Sequence, residues 1–246
     1  METGRYLSQI AVNEIFPAGQ RKIESASVVV IGMGGTGSAA AELLARMGIG
    51  RIIIVDNDTI EMSNLNRQAL YKEKDIGLKK VTVAERELRE INGSIEVEAV
   101  DQRLNFSNAV QIMSRGDLTI DGTDNFTARN VINRTSIALN KPWIFSAVEG
   151  TFGYVKAIIP GVTSCLSCMG YPTEGEGVAC TAQGVVPTAV RLISSIATTL
   201  ALRVLLGENV DGSLTYFDVW KQSLERVEIV RDEKCPVCGV NGNGGK

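Results

Sequence analysis

The chain of 246 residues is 44% hydrophobic and 22% charged, with a mean hydropathy of +0.08, a balance that excludes a disordered or fibrous protein. Its unbroken apolar runs, Val28 to Ile31 and Ile52 to Val55, are too short to span a bilayer, so no membrane partner is expected. Twenty-five Lys and Arg against 28 Asp and Glu, with a pI near 5.3, supply no basic field for a nucleic-acid backbone.

In chain order, residues 6–24 carry helical apolar spacing (Leu7, Ile10, Ala11, Ile15) with Pro17 as a break. The β-branched run Ser27 to Ile31 reads as a buried parallel strand, followed by a glycine loop, a helix from Ser38 to Met47 closed by Gly48, and a second strand from Arg51 to Val55. Further helices are expected over Lys79–Ile91, Phe106–Arg115 and Thr127–Leu139, and strands over Ile95–Val100, Leu118–Asp121, Trp143–Ala147 and Tyr154–Ile159. A loop rich in cysteine and glycine (Thr163–Gly184), a helix over Thr188–Leu206 and two strands, Ser213–Asp218 and Ser223–Val230, complete the body. Alternation through residue 147 predicts an α/β fold, a doubly wound, mostly parallel Rossmann-like sheet, with an antiparallel extension after it. Asn241 to Lys246 reads as a flexible tail.

The loop Gly32-Met-Gly-Gly-Thr-Gly37 sits between strand and helix, where the backbone can approach a phosphate and the helix amides point at it. Gly32, Gly34, Gly35 and Gly37 are therefore candidate nucleotide residues, and Asp56, at the end of the second strand, is placed for ribose hydroxyls. A tight turn without a ligand, or a site for NAD or FAD, would share this pattern. What favours ATP is the accompanying set: Asp56 and Asp58, the stretch Ser63 to Gln68 with Asn64 and Arg67, Lys80, and Asp121 to Asn125, each at a strand end or helix start. A triphosphate needs such cations and an acid for Mg2+, whereas a dehydrogenase does not. No histidine is present, so any chemistry runs without imidazole.

Five cysteines occur, and the start Met1-Glu-Thr-Gly-Arg5 lacks signal-peptide features, so a reducing cytoplasm is expected, with thiols or a metal site rather than disulfides. Cys165-Leu-Ser-Cys168 and Cys235-Pro-Val-Cys238 are two CxxC knuckles that together form a complete four-cysteine set for structural Zn2+, closed to water and pinning the C-terminal segment. A redox CxxC is the alternative. Cys180 has no partner: a lone cysteine is commonly a small buried hydrophobe, yet this one stands just before a helix whose amides could lower its pKa for nucleophilic work.

In this ordered series, Arg5-Tyr6 with Gln9, Gly32 to Gly37, Asp56 with Asp58, Ser63 to Gln68, Lys80, Asp121 to Asn125 and the cysteines, the sequence resembles the E1-like activating enzymes of the ThiF/MoeB/HesA family. The resemblance implies a single adenylation domain over residues 1–240, with an N-terminal helical segment (1–24), a nucleotide-binding core (25–160) and a crossover loop with a zinc-stapled C-terminal part (161–240). It implies that Gly35 and Asp56 hold nucleotide and ribose, that Asn64, Arg67 and Lys80 hold phosphates, and that Asp124 binds Mg2+, with Arg67, Lys80 and Asp124 catalytic. Cys180 matches the position of a thiol that in some relatives attacks the acyl-adenylate. The implied reaction is ATP-dependent adenylation of the C-terminal glycine of a ubiquitin-fold sulfur carrier by a homodimer, with a thiol acceptor downstream. A small-molecule carboxylate is the alternative, as in the HcgE branch acting on guanylylpyridinol, and an NAD-dependent oxidoreductase or an inactive nucleotide-binding scaffold are rivals of other classes. Two departures stand out: Ser8 occupies the place of an Arg that reaches across the dimer, a cation that Arg5 or Arg21 would have to replace, and Gly122 replaces a common Cys, a change expected to matter little.

Overall fold

The computed structural model describes residues 4–171 and 184–239. Two short helices, α1 (Leu7–Ile10) and α2 (Phe16–Ser25), lead in, and Pro17 starts α2 from its first turn, where its missing N–H costs nothing. The expected break therefore falls earlier, at 11–15, and not at the proline. Then follow β1 (Ser27–Ile31), α3 (Gly35–Met47), β2 (Arg51–Val55), α4 (Lys80–Ile91), β3 (Glu96–Val100), α5 (Ala109–Met113), β4 (Leu118–Asp121), α6 (Phe126–Leu139), β5 (Trp143–Glu149), β6 (Phe152–Ile158), α7 (Pro187–Leu206), β7 (Leu214–Asp218) and β8 (Ser223–Val227). Helix α3 begins three residues before the expected Ser38, so the glycine loop itself supplies its first turn.

All eight strands join one sheet in the order β3-β2-β1-β4-β5-β6-β7-β8. The first five are parallel and the last three antiparallel, as the sequence predicts. Strand side chains alternate between two cores. Val28, Val30, Ile52 and Ile54 face α2, α3, α4 and α7, while Val29, Ile31, Ile53 and Val55 face α5, α6 and the cysteine knuckles. Each of these eight is at most 2% exposed, so each contributes about 1.5–3 kcal/mol of burial, and a one-residue slip would exchange both cores at once. Helix α7 is long and apolar enough to cross a membrane by length and composition, which the short-run criterion overlooked. Its buried stripe Ala189, Val190, Ile193, Ala197 and Ala201 instead packs on α3, β5 and β6 as a core helix does.

Level pairing of Ile31 with Val55 and with Asp121 brings the carboxyl ends of β2, β1 and β4 side by side. Strand order reverses here, between β1 and β4, and an open parallel sheet forms its ligand crevice at such a point.

Candidate functional site

A cleft of about 1000 Å3 opens over these strand ends. Gly32, Gly34 and Gly35 line one wall, with Asp56 beside them. Gly32 has φ +86°, and a Cβ there would lie 2.7 Å from the Gly122 carbonyl carbon. The Asp56 carboxylate accepts from the Met33 N–H at 2.6 Å and the Asp58 N–H at 2.8 Å, so it braces the glycine loop as well as facing the cleft. Beneath the loop, the Tyr71 hydroxyl donates to Met33 O at 2.8 Å; burial, reinforced by Asp56 and Asp58, holds that phenol well above its ordinary range. Gly37 does not line the cleft, and a Cβ there would sit 1.8 Å from Gly32 O, so close packing of helix and loop requires glycine at this position. Gly122 is likewise not a neutral replacement, since a Cβ would fall 2.4 Å from Gly32 O and 2.7 Å from the Gly37 Cα.

Cations enter from two directions. Lys80 opens α4 with its side chain only 8% exposed and donates to Asp58 Oδ2 at 2.9 Å, while Asp58 itself stays open to solvent. Arg67 lies in the segment after the short 3-10 turn Met62–Asn64, held by Ser63 O at 2.8 Å and Asn66 Oδ1 at 3.0 Å. Asn64 lines the cleft, yet its Oδ1 accepts from the Glu61 N–H at 3.1 Å and so caps that turn. On the opposite wall Asp124 is exposed, with Asn125 Nδ2 3.4 Å from its Oδ1. Asn125 caps α6 by accepting from the Ala128 N–H at 2.9 Å. Gly32, Gly34, Gly35, Asp56, Asp58, Asn64, Arg67, Lys80, Asp124 and Asn125 thus all meet at one cleft.

Sequence reasoning missed what holds the Asp124 wall. Asp121, wholly buried, pairs with Arg129 Nε at 3.0 Å and accepts from both the N–H and the hydroxyl of Thr123, at 2.9 and 2.6 Å. Arg129 continues to Thr123 O and Ser146 O and lies 5.3 Å over the Phe145 ring. Burial raises the Asp121 carboxyl, and Arg129 and Thr123 oppose that cost. The available signal was a single cation among the buried residues of α6. Arg103 and Glu149 also line the cleft and were not singled out.

The N-terminal residues of the resembling pattern do structural work. Arg5 donates to Ile91 O, Tyr6 accepts from Asn92 Nδ2 at 2.8 Å, and Gln9 donates to Met47 O and Gln20. Ser8, Arg5 and Arg21 are exposed and none lines the cleft of its own chain. Cys180 and most of the crossover loop lie outside the described residues.

Towards the other end of α6, the sulfurs of Cys165, Cys168, Cys235 and Cys238 lie within 4.8 Å of one another, with separations of 3.4, 3.7 and 4.0 Å along three edges. A tetrahedron of sulfurs about 2.3 Å from a central ion has edges of about 3.8 Å, so the set could hold a metal. Burial pushes the Cys165 and Cys238 thiols up. Burial acts the same way on Cys235, but the N–H groups of Cys238 and Val237 outweigh it and bring that thiol below its usual range. A cation among the four sulfurs would stabilise their thiolate forms.

The ThiF family pattern matches residues 6–237. The sulfur carrier protein ThiS adenylyltransferase of Bacillus subtilis is 35% identical over 242 residues, 97% of this chain and 72% of the relative. The sulfur carrier protein adenylyltransferase of Thermus thermophilus is 35% identical over 247 residues, covering 97% and 91%, and the Escherichia coli ThiS adenylyltransferase is 32% identical over 237 residues, covering 96% and 94%. Among solved structures, MccB of E. coli bound to ATP superposes with a TM-score of 0.78 at 24% identity over 89% of this chain and 68% of its own, and MccB with N-formylated MccA with 0.85 at 23% over 97% and 76%, a likeness of fold. With this agreement over nearly its whole length, the chain belongs to the ThiF family, as an adenylyltransferase.

Proposed function

We propose that the chain binds MgATP along the cleft and adenylates the C-terminal glycine of a ubiquitin-fold sulfur carrier, releasing pyrophosphate. The observation that carries the reading is the convergence of the glycine loop, Asp56, Arg67, Lys80 and Asp124 on one cleft. In this reading the loop amides and the start of α3 receive phosphate oxygens, and Asp56 takes the ribose. The carboxylate of the carrier attacks the α-phosphate, and Arg67 and Lys80 stabilise the charge that develops there and on the departing pyrophosphate. Asp124 would hold Mg2+, which supplies further charge neutralisation. A carboxylate is already ionised at neutral pH, so no histidine is needed as a base. The four cysteines would hold Zn2+ as a structural staple, a reading supported by their sulfur spacings. The reading includes a cytoplasmic homodimer and a thiol acceptor for the acyl group.

The test is isotope exchange between pyrophosphate and ATP. Exchange that depends on a ubiquitin-fold carrier from the same organism supports the proposal. No exchange with any such carrier, together with exchange driven by a pyridinol carboxylate, would replace the carrier by a small acid. Tight NADH binding, with activity unchanged in Arg67→Ala, Lys80→Ala and Asp124→Ala, would instead restore the oxidoreductase reading.

A further inference from the structure

Asn125, the cap of α6, and Arg129 and Asn133 within it follow one another at four-residue intervals as a polar stripe, beside Val131 and Ile132, which meet the apolar core. The first two serve the cleft wall. Asn133 does not: it is 1% exposed and lies at the other end of the stripe, against the first cysteine knuckle. Its Oδ1 accepts from the Leu166 N–H at 3.1 Å, inside the Cys165–Cys168 pair. Its Nδ2 is buried and makes no hydrogen bond of ordinary geometry. The Leu166 N–H belongs to the peptide bond that follows Cys165, so Asn133 lies against that residue.

A buried donor without an oxygen or nitrogen partner costs about 1–3 kcal/mol, so its position calls for an acceptor that is anionic when the site is filled. Other buried groups of the same kind stand in this part of the molecule. The Ser164 hydroxyl, next to Cys165, has no partner, and neither does the indole N–H of Trp143, which belongs to the same core cluster as Cys165 and Cys235. Lys156 is wholly buried with its ammonium on Gly212 O. Four thiolates around one divalent ion carry a net charge of about −2, which donors from the surrounding protein would stabilise.

We propose that Asn133 is a positioning residue of the metal centre, its Oδ1 fixing the first knuckle through Leu166 and its Nδ2 donating to the Cys165 thiolate, so that α6 joins the metal centre to the nucleotide cleft. The proposal rests on the reading of the four cysteines as a zinc site. Asn133→Asp keeps the acceptor for Leu166 but loses the donor and adds negative charge; Asn133→Leu loses both. Ser136→Ala, on the same helix, removes a buried hydrogen bond to Lys141 O and serves as a control for destabilisation alone.

Zinc-loaded proteins are titrated with a chromophoric chelator at fixed pH, and folding is followed by circular dichroism. Both Asn133 variants are expected to lose zinc affinity by about 10- to 100-fold, with Ser136→Ala lowering the melting temperature while binding zinc like the wild type. Wild-type affinity in Asn133→Asp would overturn the donor role, and wild-type affinity in both variants would overturn the proposal while leaving the zinc site standing. Wild-type protein that binds no zinc would overturn both.

Discussion

The two halves of the sheet solve the same packing problem by different means. From β2 to β5 in sheet order the strands are covered on both faces, β1, β2 and β4 are almost wholly buried, and the register is fixed by continuous apolar contact. From β7 to β8 the strands are half exposed or open, with Leu224 and Val227 at the surface, and the segment that follows is held by Cys235 and Cys238 against the loop of Cys165 and Cys168. The difference shows where each half can be broken: the parallel half through any of many buried side chains, the C-terminal half through one small cluster. Polar side chains on α6 connect the two, because Arg129 holds the cleft wall and Asn133 meets the knuckle.

The largest effect is expected at that cluster. Structural zinc in small peptides is worth roughly 10–16 kcal/mol, so Cys235→Ser should abolish stoichiometric zinc and release the C-terminal segment, seen as a lower melting temperature and new proteolytic cleavage after residue 227. Metal analysis showing no zinc in wild-type protein purified without chelator would remove the basis of the comparison. In the parallel half, Arg129→Met leaves the Asp121 carboxylate buried and unpaired, a loss of about 3–5 kcal/mol that denaturant titration would read. A loss below about 1 kcal/mol would mean that Asp121 takes up a proton with little penalty.

Activity should follow the cleft alone. Arg67→Ala, Lys80→Ala and Asp124→Ala are each expected to lower kcat for exchange by about 10²-fold, or about 2.7 kcal/mol, with smaller changes in nucleotide affinity. In these variants zinc content and melting temperature should stay near wild type, and co-variation of zinc with activity would blur the two halves. The smallest effect lies at the edge of the parallel half, where Glu98 meets Arg115 and Arg51. The Arg115 hydrogen bond, against the opposing effect of burial and with help from Arg51, holds the Glu98 carboxyl below its usual range. A carboxyl lowered on folding stabilises the protein above its unfolded pKa of about 4.3, and that stability is lost as pH falls through the folded value. Glu98→Gln should therefore cost stability at pH 7 and progressively less below pH ~4.3, measured by denaturant midpoints at each pH.

Much of this organisation is legible in the chain itself. Alternating β-branched runs and amphipathic segments specify the parallel sheet because period-2 and period-3.6 patterns each have one way to bury their apolar side, and paired CxxC knuckles specify a four-sulfur cluster because cysteine ligands come in local pairs. The glycine loop, Asp56, Lys80 and Asp124 were legible as members of one site because each falls near a strand end or helix start, and Arg67 through the stretch Ser63 to Gln68, which in the fold is a loop after a 3-10 turn. Only the folded molecule decides which of the residues in these stretches also serve the scaffold. Gly37 and Gly122 press against Gly32, and Asn64 and Asn125 cap their own turns, roles set by contacts of a few ångströms between segments far apart in sequence. Arg129 and Asn133 were illegible for the same reason: a polar residue on a helix face acquires its meaning from the carboxylate or the backbone amide that another element brings to it.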